Sequence, residues 1–424
     1  MEASTKSQVM LRAFSSRNFR LYYIGQAISL IGTSMTQVAT SWLVYRLTDS
    51  AWLLGLVGFA SQIPTLVLIP LGGIVADRTK RHRILLVAQI LGMLQSFALT
   101  WLALNSTINV WQIALLGVLQ GIINAFDIPT RQAFLPETVN KENLGNALAQ
   151  PAVGIALYSS LVSVSVMLGP AIAGILIAAI GSGACFLIDT ISYIAVIFAL
   201  LAMRLAPKKA VISTRKPLEE LRASFIYAFG FLPLRSVLIG SALVCCVWAF
   251  YLALGPIFAR DVLDGSPNTF GFLMTASGMG TLAGGIYLSR HKSVLELGKV
   301  LAFGTALMGV SLIIFALSHI LWLSLLSLFV AGFGFILQII SGRTILQLLV
   351  TDENRGQITG LYVMASTGAV PIGNLVAGGL GTSIGTTNTV ILGASICIVG
   401  SLLFMQQISV FRDMVRLNLG VDRS

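Results

Sequence analysis

The stretch "GGIVADRTKRHR", residues 72–83, decides how this chain is read. It follows a long apolar run, supplies two glycines and an aspartate, and then crowds four basic residues and a histidine into six positions. Read alone, it could be a phosphate-cradling loop, a nucleic-acid patch, a solvated turn or part of a gate.

The surrounding composition narrows these options. Of 424 residues, 56% are hydrophobic and only 10% are charged, and the mean hydropathy is +0.88. Soluble domains carry roughly 25% charge, and a single water-soluble core stops growing near about 250–300 residues. Lipid is therefore the expected solvent. A spanning helix needs roughly 20 apolar residues, and twelve such stretches are predicted: 19–46, 52–76, 84–104, 110–131, 146–180, 184–204, 236–260, 268–289, 297–318, 321–343, 357–383 and 387–408. The N-terminal stretch reads as polar and the first apolar run is too long for a signal-peptide core, so no cleavable signal is expected.

The net charge of +11 follows topology. With both termini cytoplasmic, all but two of the 27 Lys and Arg fall on the cytoplasmic side, the exceptions being Arg46 and Arg260. This is the positive-inside bias, and it needs no polyanion. The expected location is a multi-pass bacterial inner membrane, with the lipid bilayer and a small molecule as partners, no nucleic acid, and a monomer as the working unit. A phosphate loop fails for lack of a βα unit to present it. Cys185, Cys245, Cys246 and Cys397 all lie in predicted spans without metal-site spacing and read as small packing residues. No metal and no cofactor are expected.

The longest polar interruption, 205–235, divides the spans six and six. Three parts are expected: an N-terminal six-helix bundle over 1–204, a cytoplasmic linker over 205–235, and a C-terminal bundle with a short tail over 236–424. Within the linker, Leu218, Leu221, Phe225, Phe229 and Leu232 recur at helical spacing, which predicts an amphipathic helix on the membrane surface. The halves echo each other: GGIVADR at 72–78 and GGIYLSR at 284–290 share the 212-residue offset that also maps Arg131 onto Arg343. A common offset of half the chain indicates duplication. The fold class expected is an all-α integral membrane protein of two pseudo-symmetric six-helix bundles, an architecture of secondary transporters with the substrate site between halves.

Polar residues inside the spans nominate function, because they face other helices or water rather than lipid. On span four, Gln120, Asn124, Asp127 and Arg131 share one face; Asp127 reads either as a titrating group or as a static partner of Arg131. On span one, Gln26, Ser29, Thr33, Gln37 and Thr40 do the same, as cavity lining, as interhelical glue, or as both. Trp248 and Tyr251 on span seven, and Gln338 on span ten, are further cavity candidates, with lipid-interface contact the plainer reading for either aromatic. Asp189, early in span six, is a second intramembrane acid, for proton coupling or for structural hydrogen bonding. Asp77 sits where span two leaves the bilayer, and Arg131, predicted at the same depth, is its natural partner. An enzyme would need convergent catalytic groups. His82, His291 and His319 are scattered, and no HExxH or GxSxG is present.

These segments resemble the major facilitator superfamily. "GGIVADRTKRHR" is similar to its motif A, with Gly73, Asp77, Arg78 and Arg81 matching and Lys80 in place of the second glycine. The resemblance implies an Asp77–Arg131 contact that holds the outward-facing state, and glycines that let helix two approach a helix of the other half. "LQGIINAFDIPTR" resembles motif B, whose arginine is replaced by Gly117. "SVMLGPAIAG" resembles motif C of exporters through Gly169, Pro170 and Gly174, with Ser165 in the leading position. The N-terminal half resembles the branch typified by the enterobactin exporter. The resemblance implies an exporter working by alternating access; the mostly neutral cavity faces predict amphipathic or apolar substrates, siderophore-, drug- or lipid-like, and Asp127 or Asp189 is expected to couple export to the proton gradient. An importer or uniporter on the same fold is the alternative, and a membrane-embedded receptor or enzyme the alternative of another class.

Overall fold

The computed structural model describes residues 16–135, 138, 150–203, 229–290, 296–350 and 352–406. Among them are twelve α-helices: α1 (Arg17–Thr48), α2 (Ala51–Arg78), α3 (Arg81–Leu104), α4 (Val110–Phe134), α5 (Gln150–Ile180), α6 (Ser182–Ala202), α7 (Leu232–Ile257), α8 (Pro267–Arg290), α9 (Leu297–Leu317), α10 (Leu321–Leu349), α11 (Asp352–Ser383) and α12 (Thr386–Gln406). Each predicted span corresponds to one helix, with ends displaced by a few residues. The expected amphipathic linker helix falls largely on 204–228 and lies outside the described residues. Ten of the twelve helices are long and apolar enough to cross a membrane. The exceptions by composition are α1 and α8, and α1 is the helix that carries the polar stripe Gln26, Thr33, Gln37.

Local chemistry sets the helix ends. Asn109 caps α4: its side chain accepts from the Gln112 backbone N–H, and the Gln112 side chain accepts from the Asn109 N–H. This reciprocal pair satisfies two donors the helix cannot. Gly181, at φ 91°, turns the chain between α5 and α6 in a conformation that favours glycine. After Pro256, α7 runs into one π turn, Phe258–Val262.

The chain divides into two compact units, residues 1–43 with 60–214 and residues 44–59 with 215–424. In the first, α3 packs on α4 and α6, α2 meets α4 at Gly72 and α1 meets α5 at Gly169. In the second, α9 packs on α10 and α12, α8 on α10, and α7 on α11. The helix pairs thus recur in each unit, as duplication requires. Each unit wears apolar side chains outward, Leu115, Phe198 and Trp322 among them, and keeps polar ones such as Gln26, Gln89 and Gln338 inside. In water this arrangement would be costly; in lipid it is the expected one.

Without a hydrophobic force between helices in lipid, small residues bring backbones together. A Cβ on Gly72 would stand 1.9 Å from the Ala125 carbonyl oxygen, whereas one on Gly73 would meet nothing within 4 Å. The second half repeats the pattern. A Cβ on Gly284 would lie 2.5 Å from Ile336 Cγ2 and 2.9 Å from the Phe333 carbonyl oxygen, while Gly285 is open. The steric requirement in the opening stretch therefore belongs to Gly72, the neighbour of the motif residue Gly73.

Candidate functional site in the first unit

Two buried acids organise the interior of the first unit. Asp127 and Arg131 are one turn apart on α4, so their side chains meet locally. The Arg131 Nη2 binds Asp127 Oδ2 in a close ion pair. The other Asp127 oxygen accepts from Gln89 Nε2 of α3 at 3.0 Å. Arg131 Nη1 donates to Gln26 Oε1 of α1 at 2.7 Å and to Tyr158 Oη of α5 at 2.9 Å, and its guanidinium stands 5.9 Å from the Tyr158 ring centroid. Four helices thus contribute to one charge-neutral cluster. Arg131 Nε, Gln89 Oε1 and the neighbouring Tyr22 hydroxyl are buried without a hydrogen-bond partner among the described residues. Such atoms are places for water or a ligand oxygen.

Asp189 of α6 is different. It is 2% exposed and its partners are hydroxyls. Thr36 donates to Oδ2 at 3.0 Å and Ser96 at 3.1 Å, while Thr33 and Ser192 approach Oδ1 at 3.4 and 3.5 Å. Among the described residues no ion pair involves it. A Cβ on Gly32 would lie 2.9 Å from Oδ1, so α1 is held against this carboxylate by a glycine.

The motif A segment sits at one end of the unit. Asp77 pairs with Arg81 at 3.4 Å, with the Asp77 side chain 53% exposed. The expected Asp77–Arg131 contact is absent in this structure. Arg131 is already occupied by an acid on its own helix, which pays no loop-ordering cost to reach it. Arg81 has a second task, donating to the Ala133 carbonyl in the last turn of α4 at 3.1 Å, where the helix end offers unpaired carbonyls. His82 Nε2 stands 2.8 Å from the Leu200 carbonyl near the end of α6. The basic residues after Asp77 therefore tie helix ends together, while Arg78 and Lys80 are exposed. Lys80 has φ −69°, which any residue adopts, so the glycine of the family pattern is not required here.

The remaining candidates divide. Thr33 and Gln37 are exposed on α1. Gln120 Nε2 donates to Asn124 Oδ1 at 3.0 Å along α4, apart from the Arg131 cluster. In the motif C segment, a Cβ on Gly169 would meet Ser34 of α1 at 2.6 Å, and Pro170 and Gly174 are buried. In the second unit, Trp248 stacks on Phe335 at 4.5 Å and tilts against Tyr251, and Tyr251 is 1% exposed with its hydroxyl on Ser277. Lipid-interface contact is thereby excluded for both in this structure. Gln338 is fully buried and donates to Ser241 at 2.9 Å. In this conformation Trp248, Tyr251, Gln338 and Gln26 form part of the packing. Also in the second unit, Arg260 binds Asp49 at 2.5 Å and stands over the Tyr45 ring, whose hydroxyl donates to Asp261.

Sequence reading passed over Gln89, Ser96, Thr36, Tyr158 and Tyr22. Gln89, Ser96 and Thr100 form a polar stripe on the apolar α3, the same signal that singled out α1 and α4. Among the described residues no group of three His, Cys, Asp or Glu could hold a metal.

Buried charge inside apolar helices of membrane-spanning length, in an all-helical chain, marks a transporter-type membrane protein. Comparison with known proteins gives the family. A model described as transmembrane secretion effector matches residues 9–415, and the chain belongs to this family of the major facilitator superfamily. It is 24% identical to the staphyloferrin A transporter of Staphylococcus aureus, covering 87% of this chain and 88% of that one. It is 23% identical to macrolide efflux protein A of Streptococcus pyogenes, covering 90% and 93%, and 23% identical to the enterobactin exporter EntS of Citrobacter koseri, covering 91% of each. Among solved structures, the nucleoside transporter NupG superposes with a TM-score of 0.71 at 15% identity, covering 94% and 99%. A peptide transporter, POT, gives 0.74 at 13%, covering 94% and 96%. The family and its sequence relatives are transporters, not enzymes.

Proposed function

We propose that this protein is a proton-coupled secondary exporter of amphipathic or largely apolar small molecules, working by alternating access in a bacterial inner membrane with both termini in the cytoplasm. The observation that carries the coupling is the pair of buried acids, Asp127 and Asp189, at 4% and 2% exposure inside apolar helices. Ionisable groups at such depth are costly and mark ion pathways. The direction follows the relatives, whose names describe siderophore export and drug efflux. The orientation rests on the Lys and Arg bias. The substrate class follows the mostly neutral polar residues, Gln120 and Asn124 of α4 with Thr33 and Gln37 of α1, and the siderophore, macrolide and multidrug names of the relatives. Gly73, Asp77, Arg78 and Arg81 act as a gate at the end of α2. The working unit is a monomer, and no cofactor is needed beyond the proton gradient.

The test is an imposed proton gradient across proteoliposomes loaded with ethidium, run beside a growth screen of deletion and overexpression strains against toxic compounds and siderophores. Gradient-dependent ethidium movement, lost in the Asp127→Asn, Asp189→Asn double variant, is expected. Movement that ignores both the gradient and the double substitution would instead establish uniport.

A further inference from the structure

The two buried acids have different hydrogen-bond ledgers, and the difference assigns their roles. Asp127 is neutralised by Arg131 and held by Gln89. Its charge is already matched by a neighbour on its own helix. Asp189 has no such partner. From α1 it meets Thr33 and Thr36, from α3 Ser96, and from its own helix Ser192. The titratable group beside it is Tyr193, also on α6, and no charged group faces it among the described residues.

Each hydroxyl carries one hydrogen. That of Ser192 goes to the Asp189 backbone carbonyl at 2.7 Å rather than to Oδ1 at 3.5 Å. That of Ser96 has two acceptors at equal distance, the Phe186 carbonyl at 3.1 Å and Asp189 Oδ2 at 3.1 Å. Thr36 is then the one donor committed to the carboxylate at short range, at 3.0 Å, with Thr33 longer. The cage is one hydrogen short when Ser96 turns to Phe186, and complete when Ser96 turns to Asp189.

We infer that Asp189 carries the transported proton, and that the Ser96 hydroxyl is the two-way switch that accommodates it; this rests on the proton-coupled reading above. In the ionised state Ser96 donates to Oδ2. When a proton arrives on Oδ2, the Ser96 hydrogen swings to the Phe186 carbonyl and Ser96 accepts from the new carboxyl O–H. Release reverses the swing. Binding adds one proton at Oδ2 and release removes it, and the Ser96 hydrogen has an acceptor in both states, Asp189 Oδ2 in one and the Phe186 carbonyl in the other. Asp127 remains the fixed counter-ion of Arg131 throughout. Ser96 acts through Asp189 and is a positioning residue.

Infrared difference spectroscopy of the purified full chain, titrated through the neutral range, reads this without any substrate. The wild type should show one buried-carboxyl C=O stretch that disappears as pH rises. Asp189→Asn should remove the band, and Asp127→Asn should keep it. Ser96→Ala should keep the band but move it to higher wavenumber, as expected of an acid whose O–H has lost its acceptor. A titrating band that survives Asp189→Asn, vanishes with Asp127→Asn, or is unmoved by Ser96→Ala overturns the assignment. So does the absence of any titrating band in the wild type. If Asp189→Asn fails to fold, the Ser96→Ala shift decides alone. Should the bands behave as expected while ethidium ignores the gradient, the exporter reading fails and the proton site stands.

Discussion

Gly72→Ala and Gly73→Ala are neighbouring, chemically identical changes whose consequences should differ sharply. At residue 72 the added carbon would stand 1.9 Å from the Ala125 oxygen, 2.9 Å from the Ala125 carbonyl carbon and 3.2 Å from Phe126 Cα. Non-bonded contact between carbon atoms is normally about 3.5–4.0 Å, so α2 and α4 must separate locally by roughly 1.5 Å. The obstacle is backbone, which cannot swing aside as a side chain does. Overpacking of this kind costs about 1–3 kcal/mol, and the backbone obstacle places this case toward the upper end. The helix-propensity gain of Ala over Gly, about 1 kcal/mol in water, applies to both positions and cancels between them. At residue 73 nothing lies within 4 Å, so no steric cost arises. Thermal challenge of detergent-purified variants followed by size-exclusion chromatography should show Gly72→Ala losing its monodisperse peak first and Gly73→Ala keeping its peak at least as long as the wild type. Equal destabilisation at the two positions would refute the α2–α4 contact as drawn.

Three further predictions use the same assay. Asp127→Asn and Arg131→Gln singly should each cost about 3–5 kcal/mol, as for a broken buried ion pair, while the double variant should be more stable than the sum of the two; strict additivity would mean that the pair does not form. Asp77→Asn should change stability by less than about 0.5 kcal/mol, since the pair with Arg81 is exposed, so a drop in ethidium transport at wild-type melting would identify a gate role, and wild-type transport would reduce the loop to a topology signal. Lys80→Gly restores the family pattern, but φ at this position is −69°; it should destabilise by about 0.4–1 kcal/mol through the unfolded chain, and a stabilised variant would contradict the observed turn.

Periodicity and length made the helices legible: apolar runs of fixed extent have one structural answer in lipid, and α1 to α12 fall where hydropathy puts them. Partnerships were harder. The Asp127–Arg131 spacing of four was readable, and the structure takes it, at the expense of the Asp77–Arg131 contact that equal depth suggested. Depth specifies a layer, whereas i,i+4 geometry specifies a neighbour. The α1 stripe was legible as a face, yet it serves three ends: Gln26 meets Arg131, Thr33 meets Asp189, and Gln37 is exposed. The Asp189 cage was invisible for a plain reason. Three of its four hydroxyls, those of Thr33, Thr36 and Ser96, come from 93 to 156 residues away in sequence, and a serine or threonine in a span is most often local glue.

The duplicated halves show what each kind of constraint preserves. At the 212-residue offset, Gly72 and Gly284 both seat α2-type helices on α4-type helices, so packing geometry persisted. Charge did not. The counterpart of Asp127 is Ile339, and Arg343, the counterpart of Arg131, is exposed on α10. Among the described residues the buried acids both lie in the first unit, while the second buries neutral partners such as Gln338 and Ser241. A close helix crossing is strained by a single added methyl group, so both copies have a packing reason to keep their glycine. A buried ion pair contributes little net stability compared with apolar replacements, so a copy without function for it has no physical reason to retain it. Retention of Asp127 with Arg131, and of Asp189 with its hydroxyls, in the first unit is therefore better explained by work done on charge than by folding, and the proton chemistry proposed above belongs there.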